Sequence, residues 1–497
     1  YLATKKIAAV LTTSGPGILN TLPIFAEAFT SRIPLILISG LAPSHLEGNG
    51  AFQDTSGIGG TIDISQMVKQ CSSFYIKIKN PNEIPAALEN ALASSMKNKR
   101  PSVILIPKDM FNQQISKFTF GAGSYLAPQT CPLELINAIN FCRQFARNGI
   151  GRPLIILGEE LVHQLSLVQL KEFIKKTSAA VALTAASKGL FDHTNPLFLG
   201  LIGIMGHREV DEYLEGTDHI ILVGSNLEMI HRHGIEKEFS TKHILNIKTE
   251  KSSTLYTPIG KSVCEIYGDI EKIFSSINES IPYNLYSSPT KMPLPNKSSD
   301  DFSMANIISE IQNNLEDDAN LFIDAGNSGA FVIHHLETTG KGTCYVSLGM
   351  GGMGNSIGAG IGSSAASAKK SYVFLGDGSF LIHGLEIHTA LEYNLPVTFF
   401  IFNNNSHGMC STRESIFMGG QTGINNFRES HLAKGFESIF PGIIAHEVND
   451  LIGLKESLAD IKDKNSPCIV SINISNSESP PFKTFNKTQE VQNDRLE

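Results

Sequence analysis

Two short motifs near the end of the chain have the residue types to hold an anion and a hard cation together. Tyr372–Leu375 reads as a strand that runs into Gly376-Asp377-Gly378-Ser379, and Val397–Phe402 reads as another that runs into Asn403-Asn404-Asn405. Both strands should end on the same, carboxyl-terminal edge of a parallel sheet, the edge where α/β proteins bind ligands. The glycines let the backbone come close to a phosphate, and the helix that follows aims its N-terminus at the anion. Asp377 and Asn404 supply hard oxygen ligands of the kind magnesium takes, with phosphate oxygens and water filling the octahedron. Gly-Asp-Gly by itself is commonly just a turn. The second strand end, with Asn404 27 residues after Asp377, is what argues for a site.

Two strand ends can share an edge only in a layered α/β architecture, and the rest of the chain is written that way. Short apolar runs that stop at breakers recur at Ile7–Leu11, Pro34–Ile38, Val103–Ile106, Leu154–Leu157, His219–Val223, Leu321–Ile323 and Ile469–Ile472. Such runs suit strands buried on both sheet faces. Helix-length segments lie between them, at Asn82–Lys97, Ser166–Lys176, Ser303–Leu315 and Phe380–Tyr393. The alternation predicts three Rossmann-like, doubly wound parallel-sheet domains. Gly-, Pro- and Ser-rich stretches around Thr119–Cys131 and Ser280–Asp301 divide the chain into a first domain at 1–120, a linker at 121–149, a central domain at 150–275, a linker at 276–301 and a third domain at 302–497.

Composition removes several alternatives. A net charge of −8 offers no basic stripe for nucleic acid. No apolar run approaches the roughly 20 residues that span a bilayer. Seven cysteines, without a Cys-x-x-Cys pair, suit buried apolar roles in a reducing compartment, so the cytoplasm is the expected location.

With these residues in view, the sequence resembles the thiamine-diphosphate enzymes of the acetolactate synthase and pyruvate decarboxylase type, over essentially its whole length. Gly376–Gly378 and Asn403–Asn404 match the family's diphosphate motif. The resemblance implies that Asp377, Asn404 and the backbone carbonyl of Ser406 hold magnesium, with Gly376, Gly378, Ser379, Gly408 and Met409 about the cofactor. Gly349–Ala359 looks like the family's Gly-x-Met-Gly segment, which puts Gly351 against the cofactor and gives Met353 the task of propping it in a bent form. Thr12–Asn20 resembles the Thr-Ser-Gly-Pro-Gly-x-x-Asn turn, with Pro16 and Asn20 as contacts, and Ala51–Asp54 places Phe52 and Gln53 at the reacting centre. Read by their chemistry alone, Met353 is core packing, and Phe52 and Gln53 fill surface or core. The family's homodimer or dimer of dimers, with cofactor at the subunit interface, is implied as well.

The departures bear on the substrate. The loop Asp324–Gly329 lacks the Gln-His pair of acetolactate synthases, leaving Asn327 and Ser328 to donate to the diphosphate. His407 stands where Gln or Glu is common and is a candidate proton donor, against the plainer reading of a structural or solvated loop residue. Arg413 stands where relatives place a pocket-forming tryptophan, and the chain contains no tryptophan. A guanidinium offers a fork to a carboxylate, sulfonate or phosphate, unless it faces solvent or pairs with Glu414. In the central domain, Thr184, Lys188-Gly189, Gly200, Gly203 and Gly206 follow the acetolactate synthase order, but Gly224 is followed by Ser225-Asn226-Leu227 rather than arginine, which counts against FAD. His231-Arg232-His233 reads as a solvated loop. Tyr1 matches the tyrosine of a Gly-Tyr-Ala segment, so the resemblance implies a catalytic glutamate about ten residues before it, outside this sequence. The reaction implied is decarboxylation of a 2-oxo acid with carboligation to a second carbonyl. Simple decarboxylation, acyl transfer to an anionic acceptor, and a non-catalytic cofactor-binding homologue or fragment stand as alternatives.

Overall fold

Most strands of this chain are apolar on both faces, and they pack into sheets buried on both sides. The structure, a computed structural model, describes residues 1–119, 121, 130–148, 153–251, 256–281 and 302–483. Among these, three sheets form, and all their pairings are parallel. The first holds β1 (Ala8–Thr12), β2 (Leu35–Leu41), β3 (Phe74–Lys77) and β4 (Ser102–Pro107), in the order β1-β2-β4-β3. The second holds β5 (Leu154–Leu157), β6 (Ala180–Leu183), β7 (Phe198–Leu201), β8 (His219–Val223), β9 (His243–Lys248) and β10 (Ser262–Tyr267), in the order β10-β9-β8-β5-β6-β7. The third holds β11 (Asn320–Ile323), β12 (Cys344–Val346), β13 (Ser371–Gly376), β14 (Val397–Asn403), β15 (Ile444–Val448) and β16 (Cys468–Asn473), in the order β12-β11-β13-β14-β16-β15. The expected α/β class with parallel sheets is the observed one.

Contacts group the chain into two compact units. One comprises Tyr1–Leu126 with Ser347–Asn355; the other comprises Ala127–Val346 with Ser356–Glu497 and holds both six-stranded sheets. The first unit's core is Ile18, Phe25, Leu37, Leu41, Ile64, Val68, Val103 and Leu105. In the second unit every residue of β14 is buried, and Phe399, Phe400 and Phe402 are among the largest fully enclosed side chains. Phe400 stacks on Phe374 of β13 at 5.3 Å between ring centroids. Apart from Ser371, Thr398 and Asn403 the buried residues of these two strands are apolar or glycine, and the packed pair gives a base for the loops at its end.

Three readings of the sequence change. The stretch 121–149 is not all linker, because Pro132–Asn148 is a helix that buries Ala138, Phe141 and Cys142. Its amphipathic spacing was masked by the breaker-rich residues before it; residues 122–129 and 282–301, where the two linkers were read, lie outside the described residues. The helix expected at Phe380–Tyr393 begins earlier, at Asp377, and is divided by the short helix Gly384–Glu386 before Ile387–Glu392. The cysteines are all free, but only Cys142, Cys344 and Cys468 are buried, while Cys131 and Cys410 are exposed.

Several charged residues lie deep in the second unit, Lys188 among them. Lys188 is 1% exposed, and burial pulls its ammonium down to about 8, with Cys344 and Glu337 acting the other way. Its backbone carbonyl is held by Thr338 Oγ1 at 2.9 Å and by His193 Nε2 at 3.1 Å. Nearby, the His207 ring stacks on His334 at 4.3 Å, and burial holds His207 well below the usual imidazole range and lowers His334 as well.

Candidate functional site

In the third sheet the chain turns to opposite sides after β11, which pairs with both β12 and β13. Such a reversal leaves a crevice at the carboxyl ends of the strands. The loops after β11, β13, β14 and β16 all end on that edge, and they bring Asn327, Ser328, Gly376, Asp377, Asn404, Ser406, Gly408 and Asn476 together.

Asp377 opens the helix Asp377–His383 directly after β13 and is 2% exposed. Its Oδ1 accepts the Gly378 N–H at 2.9 Å and its Oδ2 accepts the Ser406 N–H at 3.1 Å. Burial nonetheless dominates and pushes the carboxyl up to about 6, the backbone donors pulling it down only in part. The same Ser406 N–H donates to Asn404 Oδ1 at 3.1 Å, so the two oxygens of different side chains converge on one point. The Ser406 hydroxyl is tied into the 425–426 turn, bonding Ser411 Oγ at 2.7 Å and the Asn425 carbonyl at 3.1 Å. Ser406 is thereby fixed with its backbone toward Asp377.

Around Gly408 three amide side chains meet. A β-carbon at Gly408 would lie 2.8 Å from Asn404 Nδ2, 3.4 Å from Asn327 Nδ2 and 3.8 Å from Asn476 Oδ1. Asn404 Nδ2 donates to Asn476 Oδ1 at 3.2 Å, and Asn327 Nδ2 donates to Thr412 Oγ1 at 2.9 Å. Asn327 Oδ1 is buried with no hydrogen-bond partner, an acceptor that something polar should satisfy. Ser328 Oγ would lie 3.5 Å from a β-carbon at Gly376, which places the Ser328 hydroxyl beside the end of β13.

This arrangement fits a magnesium diphosphate. A buried carboxylate held above its usual range gains from a cation, and one carboxylate, one amide oxygen and one backbone carbonyl are hard donors that leave room for phosphate and water. No group of three or more His, Cys, Asp or Glu side chains placed to hold a metal occurs among the described residues. The helix carrying Asn327 and Ser328, Asn327–His335, starts only because residue 329 is glycine: a β-carbon there would lie 1.9 Å from the Asp324 carbonyl oxygen. Gly329→Ala should therefore cost about 1–3 kcal/mol of stability by overpacking, read as a lowered Tm, and should loosen Asn327 and Ser328 with it.

The remaining candidates fall in different places. His407 is exposed, with its ring edge against Phe427 at 4.6 Å. Met409 and Arg413 lie one turn apart on the helix Gly408–Met418; Arg413 is exposed, and Glu414 bonds Thr422 Oγ1 at 2.8 Å. Ser379 is buried behind Gly378. In the first unit, Gln53 packs onto the Gly15-Pro16 turn, since a β-carbon at Gly15 would lie 2.9 Å from Gln53 Cβ. Gln53 itself has φ +56°, a left-handed conformation that is strained for a side-chain-bearing residue. Phe52 is 87% exposed, Pro16 and Asn20 are exposed at the two ends of the helix Pro16–Leu19, and Gly351 is exposed beside half-buried Met353. The sequence reading missed Asn476, Thr412 and Glu27; for Glu27, an acid alone in the apolar helix Leu22–Thr30, the signal was present.

The second sheet also reverses direction, between β5 and β8, but its crevice is filled. Glu159 Oε1 accepts the Asn226 N–H at 2.7 Å, Glu160 Oε2 accepts the Thr249 N–H at 3.0 Å, and the Glu160 N–H donates to the Gly224 carbonyl at 2.8 Å. A β-carbon at Gly158 would lie 2.4 Å from Ser225 Cβ. Two acids and closed loops stand where a dinucleotide needs amides for its phosphates, so these residues do not fit FAD. His231 corrects the solvated-loop reading. It is 2% exposed, 3.8 Å from Glu159 Oε2, and burial pulls its imidazole down to about 4.

Comparisons with known proteins give the family. Three domain models of the thiamine pyrophosphate enzymes match in order: the N-terminal TPP binding domain over residues 1–60, the central domain over 148–277 and the C-terminal TPP binding domain over 324–472. A probable acetolactate synthase large subunit of Methanocaldococcus jannaschii is 26% identical, the match covering 97% of this chain and 83% of that protein. Acetolactate synthase isozyme 1 large subunit of Escherichia coli is 24% identical over 94% of this chain and 83% of its own. The crystal structure of benzoylformate decarboxylase from Polynucleobacter necessarius superposes with a TM-score of 0.80 at 16% identity, covering 96% of this chain and 89% of that one, a likeness of fold. With the three domain models in sequence and the Asp377–Asn404 edge inside the last of them, this chain belongs to the thiamine pyrophosphate enzymes.

Proposed function

We propose that this protein uses thiamine diphosphate and magnesium to decarboxylate a 2-oxo acid and join the remaining fragment to a second carbonyl, in the manner of acetolactate synthases. The observation that carries the reading is the buried Asp377 carboxyl, pushed up to about 6, whose Oδ2 converges with Asn404 Oδ1 on the Ser406 amide. Asp377, Asn404 and the Ser406 carbonyl would hold magnesium, and Asn327, Ser328 and the amides at Gly378 and Ser379 would receive the diphosphate. Bound there, thiamine diphosphate would supply the carbon that adds to the 2-oxo acid and the ring that takes up the electron pair freed when carbon dioxide leaves. His407, exposed beside Phe427, would hold or move a proton at a substrate oxygen, and Gln53 and Phe52 would line the substrate's side in the first unit. A homodimer or dimer of dimers is part of the proposal, with each cofactor at a subunit interface. The acetolactate synthase names of the similar proteins support carboligation.

Arg413 favours a second reading, in which the acceptor is anionic or the fragment is released as an aldehyde. It is exposed on the same helix face as Met409, and Glu414 is engaged by Thr422. Incubating the protein with pyruvate alone, then with a second 2-oxo acid, an aldehyde, phosphate or sulfite, and analysing products by mass spectrometry separates the readings. A 2-hydroxyketone supports carboligation, an aldehyde alone supports the second reading, and no carbon dioxide from a broad set of 2-oxo acids would defeat both. Arg413→Ala should raise KM for an anionic acceptor about tenfold, the worth of one hydrogen bond to a charged group, and leave donor decarboxylation unchanged.

A further inference from the structure

Glu27 lies in the last turn of the helix Leu22–Thr30 and is 1% exposed. A carboxylate at a helix's C-terminal end meets the negative end of its dipole, so the helix does not favour it there. What does is the segment Ser347–Asn355, which belongs to the same unit. Glu27 Oε1 accepts the Gly349 N–H at 3.0 Å and the Ser31 hydroxyl at 2.8 Å. Its Oε2 accepts the Met350 N–H at 2.7 Å and, more distantly, the Gly352 N–H at 3.4 Å. The backbone amides of one turn thus point at one anion, the arrangement by which loops bind phosphate, except that here the anion is a side chain of the protein.

The glycines of this segment are explained by that contact. A β-carbon at Gly349 would lie 2.4 Å from Ser31 Oγ and 2.9 Å from Glu27 Oε1, so only glycine allows the turn to come so close. Gly351 and Gly354 have φ of +66° and +83°, which wrap the chain around the carboxylate and deliver Met353 between them. We propose that Glu27 is a positioning residue: its carboxylate sets the Gly349–Gly352 turn and so fixes Met353 and Gly351 for the cofactor. The role toward the cofactor rests on the thiamine diphosphate reading above; the setting of the turn does not.

Glu27→Gln is the direct test, because its amide group turns a donor toward one of the backbone N–H groups. Hydrogen exchange in peptides spanning 347–355 should speed up about tenfold, while peptides holding Gly378 and Ser406 keep their rates. The dissociation constant for thiamine diphosphate with magnesium, by calorimetry, should rise about tenfold, as loss of a hydrogen bond to a charged group implies. Glu27→Asp, which keeps the charge one methylene short, should fall between. Ser31→Ala, a milder change that removes one donor and leaves the carboxylate, should move both readouts the same way by a few-fold even if Glu27→Gln does not fold. Unchanged exchange at 347–355, or faster exchange everywhere, overturns the clamp. Faster local exchange with unchanged cofactor affinity overturns the positioning role. Absence of cofactor binding in the unaltered protein strikes the thiamine diphosphate reading instead, and the exchange measurement still decides the clamp.

Discussion

Replacing Asp377 by alanine should abolish magnesium-dependent binding of thiamine diphosphate. Asp377 is the carboxylate that joins Asn404 and Ser406 at the crevice, so its loss leaves a diphosphate facing neutral amides with no anchored cation. The loss should exceed the roughly 10–100-fold that removal of a merely supporting partner of a metal ligand costs. Isothermal calorimetry with magnesium present reads it directly, and wild-type affinity in the variant would sink the site assignment. The fold should not suffer with it. Burial holds this carboxyl up to about 6, so at neutral pH the ligand-free protein carries a charge its surroundings disfavour. The variant's Tm without ligands should match or exceed that of the wild type, with the magnesium- and cofactor-induced rise in Tm missing.

A second large effect is expected at Lys188. Its ammonium titrates at about 8 when folded, against 10.5 as the ordinary value, chiefly because it is buried. Between those two values the unfolded chain binds more protons than the folded one, so this group makes stability rise with pH from about 8 to 10.5 and costs a constant amount below 8. Lys188→Met should stabilise the protein at pH 7 by about 1–3 kcal/mol and remove that rise. Cys344, pushed up to about 11 mainly by burial, opposes the trend over part of the same range. The difference between wild-type and variant curves, from urea unfolding across pH 7 to 10.5, isolates the lysine. A variant less stable than wild type at pH 7 would show that the surroundings of the buried ammonium favour it by more than burial costs it.

The parts of this molecule that could be read in the sequence are those whose surroundings are uniform. Leu154–Leu157 and His219–Val223 coincide with β5 and β8, and the runs at Val103, Tyr372, Val397 and Ile469 differ from β4, β13, β14 and β16 by at most one residue at either end. These strands are apolar on both faces. The half-exposed strands β3 and β15, the three-residue β12 and β9 with Asn246 inside it gave no such run. The site divides along the same line. Asp377 and Asn404 are adjacent to strand ends and therefore have a predictable place. Asn476 follows β16, and its meeting with Asn404 depends on β14 pairing with β16, which no local pattern encodes. The Glu27 contact joins residues 322 apart in the chain, so only the folded chain reveals what its charge is for.

The register of the third sheet also governs how this protein is made. Thr398 of β14 is paired with Cys468 of β16, so a ribosome must deliver the whole of Asn404 through Cys468 before that side of β14 has a neighbour. Val397–Asn403 reads VTFFIFN: strongly strand-forming, uncharged and free of proline, the composition of a segment that self-associates when left bare. Long-range parallel pairing of this kind is slow to form. During synthesis an unpaired β14 is thus a route to inclusion bodies, and slow translation at low temperature with chaperones present is the condition under which the protein should be recovered soluble.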